Sequence, residues 1–215
     1  QQVKDNIART YDREKRLKSE VPMKDGKRHG LAKMYYTNGK VNLELPYVED
    51  KREGTSKKYY ETGALFQETD YHDDQIHGTQ KKYDAGGLAS EVRYEYGSPC
   101  KGLIEYNTGV KRTDYPVIQL RPVDRIGTDG SYTIELSLTY GASKAKFYLG
   151  ELTSTGCMHS GLVPLPGKTA ASAYYRQTLY PGQFVMEELN FVAEVTTRSG
   201  NTYLTEKKFN LSIEN

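Results

Sequence analysis

From Val41 to Tyr47 the chain alternates. Val41, Leu43, Leu45 and Tyr47 fall on one side, and Asn42, Glu44 and Pro46 on the other, which is the two-residue period of a β-strand. Leu17, Ser19, Val21 and Met23 keep that phase, as do Leu65, Gln67, Thr69 and Tyr71. After Gly87 it slips by one residue, to Leu88, Ser90, Val92 and Tyr94. Each such segment follows a shorter one, such as "LAKMYY", across a turn, "TNG" or "ETG", whose Asn and Gly tolerate the positive φ of tight hairpins. A polar connection, "EDKREG" or "DDQIHG", closes the unit. The predicted element is a β-hairpin.

The hairpins recur. Gly30, Gly54, Gly78 and Gly102 are each 24 residues apart. Gly39, Gly63 and Gly87 follow nine positions later, and Gly109 takes that place in a shortened fourth unit. Tyr35, Tyr59 and Tyr83 keep the period, with Tyr106 in the short unit; Tyr47 and Tyr71 also match, and Tyr94 is one residue out of phase. Tyr11 lies 24 before Tyr35, and "LKSEVPM" aligns with "VNLELPY", so the charged start reads as a worn first repeat. One hairpin is marginal in water, whereas stacked hairpins support each other. Two strands per repeat place equivalent side chains roughly 10 Å apart. Tyr35, Tyr59 and Tyr83 then form one ladder, and Lys33, Lys57 and Lys81 a second beside it on the same face.

The period stops near residue 115. Residues 1–114 carry 21 basic and 19 acidic side chains, residues 115–215 nine of each, so charge density roughly halves. "TDYPVIQLRPVDRIGTDGS" reads as a junction. Beyond it lie "SYTIELSLTY", "KAKFYLGEL", "AYYRQTLY", "LNFVAEVTT" and "NTYLTEKKFNLSI", with "RSGN" as a hairpin turn between the last two. Five to seven strands without helical period predict a small β-sandwich, immunoglobulin-like in strand count and length only.

Composition fits a mostly β chain: 19 tyrosines, no tryptophan and 20 glycines. A formal net charge of +2 argues against nucleic-acid binding. No stretch approaches the roughly 18 apolar residues of a membrane helix. Cys100 and Cys157, 57 positions apart, lack metal-site spacing. Two unpaired thiols are the favoured reading, and a disulfide tying the two halves is the alternative in an oxidising compartment. A start at Gln1 is what removal of a secretory signal leaves, and a trimmed chain looks the same.

The "G…YY…G" unit with its "DGKRHG" and "DDQIHG" connectors resembles the MORN repeat variant of bacterial proteins over residues 11–112. The third unit slips after its glycine and the last is shortened. The resemblance implies an elongated, curved sheet with a role in assembly, scaffolding or partner binding. Bacterial chains of this kind include antitoxin-like, YwqK-type proteins, and eukaryotic relatives associate with membranes and phospholipids. No family resemblance is assigned to the second half.

Candidate chemistry is sparse. His29 and His77 occupy equivalent connector positions, where the other units have Glu53 and Lys101, which marks them as structural. His72, Asp73, Asp74 and His77 sit in a polar connector rather than a converging ligand set. "GCMHSG" puts Cys157, His159 and Ser160 side by side, but adjacency in sequence is not a catalytic pair. "GTDGSY" is a turn, without calcium- or phosphate-loop residues. Glu187 and Glu188 in a strand point to opposite faces and make a poor dyad.

The expectation is therefore a mostly β chain of two domains: residues 1–114, a meander sheet of MORN-like hairpins, and residues 115–215, a β-sandwich. Its function is expected to be non-enzymatic binding or scaffolding in the extracytoplasmic space of a bacterium, without catalytic residue, cofactor or metal. Lys33, Tyr35, Lys57, Tyr59, Lys81 and Tyr83 form the expected contact face for a protein partner. Packing between hairpins is the competing reason for both ladders. Self-association through the sheet face or edge, and phospholipid contact suggested only by the resemblance, are secondary routes. The rival functions are an antitoxin-like neutraliser of a dedicated toxin and a carbohydrate-binding, lipid-binding or hydrolytic C-terminal domain.

Overall fold

The computed structural model describes residues 6–140 and 144–215; Gln1, on which the exported reading leaned, lies outside them. The chain divides into two compact units, Gln1–Ser98 with Ile104–Lys111, and Pro99–Leu103 with Arg112–Asn215. The sequence break after residue 114 falls close to Lys111. That Pro99–Leu103 groups with the second unit is invisible to charge density.

The first unit is one antiparallel sheet of thirteen strands. They are β1 (Asn6–Tyr11), β2 (Leu17–Lys24), β3 (Lys27–Arg28), β4 (Gly30–Tyr35), β5 (Val41–Val48), β6 (Lys51–Arg52), β7 (Gly54–Tyr59), β8 (Leu65–His72), β9 (Gln75–Asp84), β10 (Gly87–Glu95), β11 (Ser98–Pro99), β12 (Ile104–Asn107) and β13 (Val110–Lys111). Spatial order follows chain order from β1 to β13, with β3, β6 and β11 as short returns on β2, β5 and β10.

Four of the hairpins share a register shift beside their tyrosine, and the short β12–β13 hairpin, with Tyr106 facing Lys111, has none. Met34 faces Leu43 but Tyr35 faces Val41; Lys58 faces Gln67 but Tyr59 faces Leu65; Lys82 faces Ser90 but Tyr83 faces Leu88. β1 and β2 repeat it, with Thr10 facing Ser19 and Tyr11 facing Leu17, so the charged start is a full hairpin. The slip after Gly87 is a shorter turn: Leu88 faces Tyr83 as Leu65 faces Tyr59, and strand phase is unbroken.

The connectors are tighter than their polar sequences suggest. Glu49–Asp50, Asp73–Asp74, Asp25–Gly26 and Tyr96–Gly97 are residue pairs with both φ values positive, the geometry of type I′ hairpin turns, and Thr108–Gly109 repeats it within the β12–β13 hairpin. At Gly78, φ is 110° and an added Cβ would lie 2.9 Å from Asp70 Cβ, so both conformation and space demand glycine. The buried side chains of this unit are mostly small: Ala32, Ser56, Thr69, Ser90 and Val92. No tyrosine of the unit is fully buried among the described residues. Backbone ladders and half-buried rings hold the array, rather than a thick core.

The second unit pairs β14 (Ile118–Arg125), β15 (Ser131–Leu138), β19 (Ser172–Thr178) and β18 (Gly167–Thr169) in one sheet. The other sheet orders β17 (Val163–Pro164), β16 (Lys144–Leu149), β20 (Phe184–Thr196) and β21 (Thr202–Glu214). A four-residue helix, α1 (Ile126–Asp129), joins β14 to β15. Ile118, Ile134, Leu136 and Ala173 from the first sheet pack with Phe147, Leu189, Phe191, Ala193, Val195 and Leu211 from the second, the core of a β-sandwich. "RSGN" turns β20 into β21 through Thr197 N–H to Asn201 O, with Gly200 at φ 73°.

Two expectations are corrected. Much of the predicted junction is β14, which tolerates Pro122 because it lies at a sheet edge, where a missing N–H breaks no ladder bond. Cys100 and Cys157 are not unpaired thiols; they form a disulfide with S–S 2.01 Å, as facing residues of an isolated antiparallel bridge.

Candidate functional site

Lys33, Lys57 and Lys81 share one face of the repeat sheet, but they do not form a free cationic ladder. Along that row Arg9, Glu20, Lys33, Glu44, Lys57, Glu68, Lys81 and Glu91 face one another in succession, each on the next strand. Sign alternates at every step. Arg9 Nε donates to Glu20 Oε1 at 2.8 Å. Lys33 Nζ lies 3.5 Å from Glu44 Oε1, and Lys57 Nζ 3.4 Å from Glu68 Oε1. Directly opposed unlike charges stabilise a sheet, and like charges destabilise it.

The tyrosines close the pattern. Tyr35 donates its hydroxyl to Glu20 Oε2 at 2.8 Å, Tyr59 to Glu44 Oε2 at 2.8 Å, and Tyr83 to Glu68 Oε2 at 2.7 Å. Each glutamate is thus held between a cation and a phenol from the following hairpin. Partial burial and Glu44 push the Tyr59 phenol up to about 12. The Glu68 hydrogen bond, with burial, does the same for Tyr83, and burial with Glu20 raises Tyr35. The Glu20 carboxyl is held below its usual range by the hydrogen bonds from Arg9 and Tyr35.

The structure therefore brings all six sequence-predicted residues into one constellation and adds a glutamate row that the sequence reading passed over. Its signal was present: Glu20, Glu44 and Glu68 stand 24 apart, and Glu91 follows after the shortened turn.

A second lock repeats in the connectors. Asp50 Oδ1 accepts from Arg28 N–H at 2.9 Å and Arg28 Nε at 3.1 Å, while the guanidinium lies 4.3 Å from the Tyr47 ring centre. Asp74, Arg52 and Tyr71 repeat this at 2.9, 3.2 and 4.3 Å. Backbone and side-chain bonds from these arginines hold both aspartates below the usual carboxyl range.

The remaining candidates have local partners. His29 and Glu53 both donate their backbone N–H to a proline carbonyl, Pro22 and Pro46, which confirms their equivalence. His72 Nδ1 meets Glu53 Oε1 at 2.8 Å, and that carboxylate raises the imidazole pKa. Asp73 pairs with Lys51 and Asp74 with Arg52, while the His77 ring packs 4.5 Å from Tyr96. Cys157 is in the disulfide. His159 bonds Glu151 O through Nε2 at 2.8 Å and accepts from Gly161 N–H through Nδ1 at 3.1 Å, so both ring nitrogens serve the loop.

In the second unit, Glu187 reaches Tyr175 at 3.3 Å and Glu188 reaches Lys208 at 2.6 Å, as expected for alternate faces of β20. A cavity of 990 Å³ borders Leu120, Leu136, Phe209, Arg121, Lys168 and Glu135. Its carboxylate is divided between Lys168 and Arg121, which keep it ionised and below its usual range.

The first unit is thus a β-hairpin repeat array, bonded from one hairpin to the next through a 24-residue grammar. Residues 28–49 and 52–73 match the MORN repeat variant, so these two adjacent units are MORN-type repeats. No curated protein matches the chain. MORN repeats often mediate contact with proteins or membranes, which is consistent with a binding or scaffolding role.

Proposed function

We propose that the chain is a non-enzymatic binding protein that presents the Lys–Glu–Tyr face of its repeat sheet to a protein partner in an oxidising, extracytoplasmic compartment. The observation that carries this reading is the alternating row from Arg9 to Glu91. A row of balanced charge flanked by half-exposed tyrosines suits a protein surface of mixed charge, where complementarity sets register and specificity. It suits a polyanion poorly, because each lysine already faces glutamates. The Cys100–Cys157 disulfide supports the compartment, since such bonds persist outside the reducing cytosol.

The test uses the full chain, immobilised, against soluble extracts of the source organism, beside a Lys33→Gln/Lys57→Gln/Lys81→Gln variant. Neutral glutamine avoids the like-charge contacts that glutamate would create, and circular dichroism checks that both baits are folded. A single protein retained by the wild type and lost with the variant is the expected result. Equal retention by both would rule the face out. Retention of nothing, with binding instead to vesicles or glycans, would overturn the protein-partner reading.

A further inference from the structure

The charge row is complete at three places and half-built at one. Lys33, Lys57 and Lys81 each stand between two glutamates, one on either neighbouring strand. Arg9, at the equivalent position of β1, has Glu20 on one side only. The tyrosines tell the same story. Tyr35, Tyr59 and Tyr83 each donate to the glutamate of the strand before their own hairpin. Tyr11 holds the equivalent position, beside the same register shift, and its hydroxyl has no partner among the described residues. All six residues of β1 are exposed, Tyr11 at 56% and Ile7 at 49%, and no described strand pairs with its outer edge.

We propose that the outer edge of β1 is a docking site for an extended segment of a partner protein, which adds as an antiparallel strand and places a glutamate opposite Arg9 and within reach of the Tyr11 hydroxyl. The occupied copies of the site define the ligand. In each, a carboxylate on the preceding strand lies directly opposite the cation and accepts a hydrogen bond from the phenol two residues further on. Backbone pairing supplies the attachment and this one carboxylate sets the register, as in other strand-addition complexes. Edge-to-edge pairing with the repeat sheet of a second copy fits poorly: among the described strands that sheet ends at β1, whose charged residue is Arg9, and at β13, whose charged residue is Lys111. The proposal rests on the reading of the repeat sheet as an interaction surface, but it concerns the edge and not the face.

The probe is a fluorescein-labelled peptide with the sequence of β5, Val41–Val48, whose single charged side chain is Glu44 and which pairs with β7 in the required way. Fluorescence anisotropy with the full chain should show saturable binding. Replacing the peptide's glutamate by glutamine should weaken it about tenfold, the scale of losing a charge-assisted hydrogen-bonded contact. Tyr11→Phe should weaken it severalfold; because that hydroxyl has no described partner, the fold has no reason to change. Arg9→Glu should abolish binding of the native peptide and restore it for a peptide with lysine in place of glutamate. No binding, or binding indifferent to the glutamate and to Tyr11, would overturn the proposal. So would concentration-dependent self-association of the chain alone that Arg9→Glu removes, which would give the edge to a second copy. The Lys33→Gln/Lys57→Gln/Lys81→Gln variant should bind the peptide normally, so failure at the edge and failure of the face are separable.

Discussion

Reversing the charge of Lys57 should cost the repeat sheet about twice as much as removing it. Lys57 faces Glu44 on one neighbouring strand and Glu68 on the other, with Nζ 3.4 Å from Glu68 Oε1. Cross-strand charge pairs contribute roughly 0.2–1 kcal/mol each, and the 44% exposure of Lys57 argues for about 0.5 kcal/mol per neighbour. Lys57→Gln loses two attractions of that size, about 1 kcal/mol. Lys57→Glu also creates two repulsions across the same spacing, for roughly 2 kcal/mol in all, and sets three carboxylates in line across neighbouring strands. In a unit of this size that corresponds to about 10 °C in melting temperature. The assay is thermal unfolding by far-ultraviolet circular dichroism at low salt, then near 1 M salt, where screening should close much of the gap between the two variants. If Lys57→Glu and Lys57→Gln melt within error of each other at low salt, the charge row does not stabilise the sheet and its role must be reconsidered.

Three further outcomes follow from the geometry. The phenols of Tyr59, Tyr83 and Tyr148 are held at about 12; a raised folded pKa means their stabilisation is complete below the ordinary value of 10.0 and is lost as pH rises towards 12, so ultraviolet titration should show a late-ionising class coincident with alkaline unfolding. Gly78→Ala should destabilise by about 1–3 kcal/mol, because φ of 110° and the Asp70 contact leave no relaxed position for a methyl group; chemical denaturation would measure it, and a neutral result would contradict the assigned backbone. Cys100→Ser/Cys157→Ser should lower stability by about 3–4 kcal/mol from the loop closed across 57 residues, and reduction of the wild type should have the same effect in denaturant melts.

The alternating row also changes how the lysines are understood. Viewed along the chain they look like a cationic stripe waiting for a ligand. Viewed across the sheet they are half of a neutral lattice whose other half is glutamate. The packing reading and the binding reading of the tyrosines then describe the same atoms: the hydroxyl that fixes one hairpin to the next leaves the ring edge half-exposed for contact.

By itself, the sequence determined the hairpin, its 24-residue period and the side of the strand each residue takes, because alternation and turn chemistry are local and are written into adjacent residues. It even contained the glutamate row, as a third series at the same spacing. It could not say that Lys57 faces Glu44 and Glu68, since that depends on a register set by the bulge beside Tyr59 and by turns such as Glu49–Asp50. Nor could it show β14 as an edge strand, where Pro122 is tolerated only because one side needs no N–H. The choice between free thiols and a disulfide was beyond it for the same reason: Cys100 and Cys157 are distant along the chain, and only the grouping of Pro99–Leu103 with the second unit brings their sulfurs within bonding distance.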